Sequence, residues 1–383
     1  MVFEAPILRI LFVWAYWQYP QVALEFLQKI RKRGHKISVL LGKKHGEIEK
    51  GFVDDGIDFH FAPSWDFGPN ILGSPYPIFK NVSSCIKMVD PDVVHVNSHL
   101  FFSNYQVLKA SHLMKISSVV TVHGIMAKRD LILNALQGIY LRTIAKSIFK
   151  KASAVICLTR SDAESVANII GNFEKIFIVP NGVDTEIFKP TSVKDSNLIA
   201  WAGRLAPEKG LVYLLLATKE IVEKHSDARL ILIGDGPLRT DLMNLVNKLG
   251  LTGKVDFIGS VDRMKVAELL SKSSIFAFPS LKEGLPISIL EAMACGVPVV
   301  GSNISGVNDV VKHDENGFLV QSKTPKALAN AILDLLNDEN LRERLGQNAR
   351  RLMVEKYGWD RIINRMEEVY REAIEKAPFT KRK

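Results

Sequence analysis

A chain of 383 residues that is 47% hydrophobic and 24% charged can bury a large core and is long for a single domain, so it reads as globular throughout with two domains. Its three cysteines, Cys85, Cys157 and Cys295, are odd in number, far apart and set in apolar surroundings, which fits reduced core thiols in a cytoplasmic compartment better than a disulfide framework. The net charge of +9 suits an anionic ligand or membrane surface, or equally a surface of scattered solubilising lysines; no zinc spacing, basic-aromatic stripe or helix-turn-helix cue accompanies it, so nucleic acid is not an expected partner.

The apolar run 7–17 is broken by Arg9 and is too short to span a bilayer, so it reads as a first buried strand and not as a signal segment. Short runs rich in valine and isoleucine follow at 36–41, 92–96, 118–122, 154–158 and 176–179, with helical stretches at 22–33, 105–114 and 131–149 between them. Such alternation predicts a parallel sheet covered on both faces. Asp90-Pro-Asp92 precedes the strand at 92–96 and reads as a helix-to-strand turn, away from the carboxyl ends where ligands of such sheets bind. The segment 131–151 combines leucine, isoleucine and phenylalanine with Arg142, Lys146, Lys150 and Lys151. Two readings of it stand: a helix covering the sheet with solvated lysines, or a basic amphipathic surface making peripheral membrane contact.

After Phe188 a polar stretch from Lys189 to Asn197 reads as a linker, dividing the chain into domains 1–190 and 191–359. A second series of strands is expected at 198–201, 230–233, 255–258, 275–278, 297–300 and 317–320. Helices are expected at 211–224, 238–249, 266–270, 287–294 and 325–336, and the basic tail 377–383 is expected to be disordered. The fold class is α/β, with two tandem Rossmann-like, doubly wound domains facing a central cleft.

Two stretches carry chemistry. In Glu283-Gly-Leu-Pro-Ile-Ser-Ile-Leu-Glu291, Pro286 suits the first turn of a helix and Gly296 its end. Backbone N–H groups near Leu285, Pro286 and Ile287 are then free to meet an anion, with Glu283 on the entering loop beside Gly284 and Glu291 about two turns inside. Carboxylates repel phosphate, so their partners are hydroxyls on either side of it, the polarity of a nucleotide sugar; a plain amphipathic helix with two solvated glutamates is the competing reading. In Gly203-Arg-Leu-Ala-Pro-Glu-Lys-Gly210, Arg204 and Lys209 stand on a loop at a strand's carboxyl end, placed for a diphosphate; a solvated loop capping the next helix is the competing reading. Gly234-Asp-Gly-Pro237 follows another strand and suits the nucleotide side of the crevice. It lacks both the third glycine of a dinucleotide fingerprint and the Lys-Ser/Thr of a phosphate-binding P-loop.

Together with Val122-His-Gly124 and Val179-Pro-Asn-Gly-Val-Asp184, these stretches resemble, in order and spacing over nearly the whole chain, the family 4 retaining glycosyltransferases of the GT-B fold. The resemblance implies that Arg204, Lys209 and the backbone of Gly203 and of 284–287 hold a donor diphosphate. Glu291 would accept from the ribose, and Glu283 and His123 would contact the donor sugar. It implies a metal-independent, cofactor-free transfer of a hexosyl group from a UDP- or GDP-sugar to a hydroxyl on a glycan, lipid-linked or small-molecule acceptor. Closure of the two domains over the donor and a last helix, 360–376, crossing back onto the first domain are also implied. A nucleotide-sugar epimerase and a catalytically silent nucleotide-sugar-binding protein remain as alternatives. Two stretches depart from the family pattern: Trp14-Ala-Tyr-Trp-Gln-Tyr-Pro20 replaces a glycine-rich loop, and Ser305-Gly-Val-Asn-Asp309 stands where two glycines and later a glutamate are common.

Overall fold

The computed structural model describes residues 6–14, 21–42, 56–66, 77–125, 138–191 and 193–377. Residues 15–20 of the aromatic loop, the start of the basic segment (131–137) and the tail from 378 lie outside them. The chain forms two compact units, 1–180 with 363–383, and 181–362.

In the first unit, β1 (Arg9–Trp14), β2 (Lys36–Gly42), β3 (Ile57–Ala62), a hairpin of β4 (Ser64–Asp66) and β5 (Pro77–Phe79), β6 (Val93–Val96), β7 (Ser117–Val122), β8 (Ala154–Cys157) and β9 (Ile176–Ile178) follow in chain order. Seven of them make one sheet ordered β3-β2-β1-β6-β7-β8-β9, and every described pairing in it is parallel. All residues of β6, β7 and β8 are buried, as in a sheet covered on both faces. The edge strand β3 was not expected. Its Ile-Asp-Phe-His-Phe-Ala sequence is only partly buried and lacks the valine-isoleucine run of a central strand. Asp90 and Asp92 are both engaged by Arg9: Nη1 lies 2.5 Å from Asp90, while Nη2 and the backbone N–H reach Asp92 at 3.0 and 2.7 Å. Of the basic segment, Ala145, Ile148 and Phe149 are buried in the core while Arg142 and Lys150 are exposed.

The last helix, Trp359–Glu375, belongs to the first unit from residue 363 onward. Two histidines of that unit fasten it. His95 Nδ1 lies 2.6 Å from the Tyr370 hydroxyl and its Nε2 2.7 Å from Thr121 Oγ1. Burial pushes this imidazole down to about 3, so it is neutral at physiological pH. His35 Nδ1 accepts the Leu8 N–H at 3.0 Å, so its proton sits on Nε2, 3.1 Å from Glu367.

The second unit holds β10 (Asp195–Ala202), β11 (Arg229–Ile233), β12 (Val255–Gly259), β13 (Ser273–Phe278), β14 (Val299–Ser302) and β15 (Gly317–Val320). They form one parallel sheet ordered β12-β11-β10-β13-β14-β15. Strand order reverses between β10 and β13, the switch point at whose carboxyl side doubly wound sheets open a crevice. Among the described residues no helix is long and apolar enough to cross a membrane. The three cysteines are free thiols, with Cys157 and Cys295 buried and pushed up to about 12.

Candidate functional site

The site grows from close backbone approaches at that switch point. Beyond β10, Gly203 and Leu205 donate their N–H groups to Ile233 and Asp235 at 2.9 Å, which sews the 203–210 loop onto the end of β11. Only glycine fits opposite: a Cβ on Gly234 would stand 1.9 Å from the Gly203 carbonyl oxygen. A single turn of 3-10 helix, Pro207–Lys209, ends at Gly210, whose φ of 66° and near contact with the Pro279 carbonyl bring the loop against the end of β13. The result is local and charged. Lys209 Nζ lies 2.7 Å from Glu283 Oε1, with the two side chains only 21% and 9% exposed.

The helix following that glutamate runs Ile287–Ala294 and has Pro286 as its N-cap, with φ of −74° and no side chain capping it. Proline there sits one place earlier than the sequence suggests, and Glu291 is consequently the fifth helical residue, a little over one turn in and not two. Its first-turn N–H groups are left without intrahelical acceptors, and the helix dipole adds partial positive charge where they point. The far end is closed by a Schellman motif: Val297 donates to Ala292 and Gly296, at φ 68°, to Met293. Two cations hold it there. Lys194 Nζ donates to the Gly296 carbonyl at 2.8 Å, and Arg350 donates to Ala294, Phe188 and Thr185 carbonyls at 2.8, 2.8 and 3.0 Å. Behind the entering loop, Gly306 (φ 85°) sits so close that a Cβ would fall 1.5 Å from the Gly284 carbonyl oxygen. Within the departing stretch 305–309, this glycine is the one that the loop requires.

These elements enclose a cavity of about 490 Å³, within the range of small-molecule sites. It spans four strand ends, from Ser260 and Val261 after β12 through Gly234 and Gly203 to Phe278 of β13. Gly203, Lys209, Glu283, Leu285, Pro286, Ile287 and Glu291, all expected from the sequence, line it together, and Gly284 lies between two of them. Arg204 is exposed and is not part of the cavity wall. His123 stands in the first unit, exposed just past β7, with Nε2 2.9 Å from Asn97 Oδ1.

Sequence reasoning missed the Lys209–Glu283 ion pair, since 74 residues separate the partners. It also missed Ser260, Val261 and Val266, whose signal was present: a strand ending at Gly259 followed by Asp262, which caps the next helix by accepting the Lys265 N–H. Asn181, within the 179–184 stretch that carries the resemblance, donates its amide to the Leu285 carbonyl at 3.2 Å and so steadies the loop entering the helix. Chemically, a cation and free N–H groups at one end of the cavity suit an anion, and carboxylates beside them suit hydroxyls.

Comparison with known proteins agrees with this geometry. Residues 182–352 match the family described as Glycosyl transferases group 1, and residues 20–187 match Glycosyltransferase Family 4. An uncharacterised glycosyltransferase of Methanocaldococcus jannaschii is 30% identical over 307 residues, 74% of this chain and 76% of that protein. An Escherichia coli UDP-Gal:alpha-D-GlcNAc-diphosphoundecaprenol alpha-1,3-galactosyltransferase is 28% identical over 359 residues, 86% of this chain and 88% of its own. Among solved structures, Anabaena HepE in complex with UDP superposes with a TM-score of 0.75 at 21% identity, covering 94% of this chain and 98% of that one.

Proposed function

The chain belongs to the family 4 glycosyltransferases of the GT-B fold, and we propose that it moves a hexosyl group from a nucleoside diphosphate sugar to an acceptor hydroxyl with retention of anomeric configuration. The observation that carries the reading is the single cavity in which Lys209, the uncapped start of the helix Ile287–Ala294, Glu283 and Glu291 converge. In this proposal the diphosphate lies at the helix start, where N–H groups and Lys209 meet its charge, and Arg204 turns onto it from the rim of the same loop. Glu291 accepts from the ribose hydroxyls and Glu283 from those of the sugar. As the bond from the anomeric carbon to the diphosphate oxygen breaks, the acceptor oxygen bonds that carbon from the same face. The acceptor's proton passes to the departing diphosphate. The leaving charge is stabilised by protein donors, so the reading needs no metal.

His123 is assigned to the donor sugar as part of the same proposal. The acceptor is a sugar, lipid-linked or small-molecule hydroxyl, with peripheral contact to a cytoplasmic membrane face if it is lipid-linked. By their names, the Escherichia coli galactosyltransferase acts on a diphosphoundecaprenol-linked acceptor and HepE binds UDP, which supports the class without fixing the substrate.

The test is a panel of nucleotide sugars assayed for slow donor hydrolysis, followed by nucleotide calorimetry on Arg204→Ala combined with Lys209→Ala. One donor should be hydrolysed without acceptor, and the double variant should lose most nucleotide affinity. Unchanged affinity would remove the assignment of that loop. An epimerised sugar in the absence of acceptor would point to different chemistry in the same cavity.

A further inference from the structure

Asn97 and His123 each stand one residue beyond the carboxyl ends of neighbouring strands, β6 and β7, in the first unit. We propose that Asn97 is a positioning residue for the transfer: it holds the His123 imidazole in one orientation, with its proton on Nε2, and keeps it uncharged beside the donor sugar. This rests on the assignment of His123 to that sugar and goes beyond it, naming the protonation state in which the ring acts and the residue that sets it.

The backbone of His123 is fixed from both sides. β7 is paired with β6 and β8, and Val122 lies opposite Cys157. Past the histidine, Gly124 turns at a φ of 97°, which favours glycine, and the Ile125 N–H donates to Asp162 Oδ1 at 3.2 Å. Rotation of the side chain is what remains to be set. Among the described residues the ring makes one hydrogen bond, the 2.9 Å contact of Nε2 with Asn97 Oδ1. Asn97 is anchored in turn, its own N–H donating to the Val13 carbonyl at 3.2 Å. An amide oxygen only accepts, so Nε2 carries the proton and Nδ1 keeps a lone pair for a sugar hydroxyl.

The groups around the ring bring no charge that would protonate it. His95 and His99, on β6 and just past it, are neutral, pushed down to about 3 by burial. Cys157 on β8 is pushed up to about 12, and Tyr370 of the last helix, bonded to His95, is raised well above its ordinary value. Asp162, on the helix Arg160–Ile170, turns one oxygen to the Ile125 N–H and the other to the Thr159 hydroxyl at 3.0 Å. One edge of the His123 ring is open to solvent, and the protein packed against the rest pushes it down to about 4. A carboxylate at position 97 would orient the ring equally well but would charge it. As the bond from the anomeric carbon to the diphosphate breaks, positive charge grows on the sugar ring. An imidazolium beside it would repel that charge, whereas a neutral imidazole accepts from a hydroxyl at no such cost.

The experiment compares the full chain with Asn97→Ala and Asn97→Asp. Slow donor hydrolysis is followed between about pH 5 and pH 8, and the ring nitrogens are observed by 15N NMR, with His123→Ala locating the His123 signals. Asn97→Ala should slow hydrolysis about tenfold or more at every pH, because the ring is no longer aimed. Asn97→Asp should restore most of the rate near pH 8. It should also raise the His123 pKa by about one to three units, so its rate relative to wild type falls as pH drops through the raised value. The NMR signals should show Nε2 protonated and Nδ1 bare in the wild type, and the raised titration in Asn97→Asp. A ratio to wild type that is flat with pH in Asn97→Asp, or a proton found on Nδ1, would overturn this inference and leave the donor reading standing. No hydrolysis of any nucleotide sugar by the wild type would overturn both.

Discussion

Replacing Lys209 with methionine keeps most of the side-chain stem and removes the charge that faces Glu283. At 2.7 Å, two unit charges attract by about 6 kcal/mol at an effective dielectric near 20, and desolvation of both groups offsets most of that. Removing one member of a fully buried pair costs about 3–5 kcal/mol, and an exposed pair is worth less than about 1 kcal/mol. With Glu283 only 9% and Lys209 21% exposed, about 1–2 kcal/mol lies between those limits. Urea denaturation without nucleotide should therefore show Lys209→Met destabilised by about that amount, and Glu283→Gln by less, because the amide still accepts from the lysine. The double variant should recover part of the loss, giving a coupling of about 1 kcal/mol in a double-mutant cycle. Saturating UDP should shrink that coupling, since the diphosphate then competes with Glu283 for the ammonium. A cycle that closes with no coupling in the absence of nucleotide would refute the pairing, and a coupling untouched by UDP would refute the shared role of Lys209.

Other consequences follow from the same contacts. Gly306→Ala should destabilise by more than about 2 kcal/mol and abolish nucleotide binding, because its Cβ would overlap the Gly284 carbonyl. Gly253→Ala, at φ 77° in open space, should cost only about 1 kcal/mol and bind nucleotide normally; equal effects in thermal melts would contradict the steric argument. Arg350→Lys should fail to rescue what Arg350→Ala loses, about 2–3 kcal/mol by chemical denaturation, because one ammonium does not span the three carbonyls held by the planar fork. Buried His95 and His99 are both pushed down to about 3 by burial. The unfolded chain takes up their protons below about pH 6.5 while the folded one does not. Their contribution is thus neutral above that pH, and stability falls by up to about 1.4 kcal/mol per pH unit per imidazole as pH drops toward 3. His99→Phe, beside Phe149, should flatten the measured pH dependence, and an identical slope would show that His99 titrates normally in the folded state. His123→Ala should slow transfer in a turnover assay while leaving nucleotide affinity by calorimetry unchanged, and equal losses in both would argue for a structural role.

Local physics was legible along the chain. Alternating apolar runs and helical stretches identified two parallel-sheet series, because strands buried on both faces must be rich in valine and isoleucine whatever they pack against. Pro286 and Gly296 marked the limits of the helix Ile287–Ala294, since backbone torsions at caps are set by the residue itself. Glu283, Glu291 and Lys209 stood out from their motifs and from their places beyond strand ends, and all three line one cavity. Edge strand β3 escaped notice because an edge needs only partial burial, and its mixed pattern has no signal of its own.

Relations across the sheet were decided by folding alone. That Lys209 pairs with Glu283 while Arg204 faces solvent depends on Gly210 lying against Pro279, a contact that no local pattern encodes. The requirement for glycine at 234 and 306 comes from carbonyls brought close by other loops. The neutral wall of Ser260, Val261 and Val266 joins the charged helix start only because strand order places β12 and β13 on either side of β10 and β11. Sequence spacing sets which residues can share a helix or a turn; the sheet, by ordering strands out of sequence, sets which of them share a cavity.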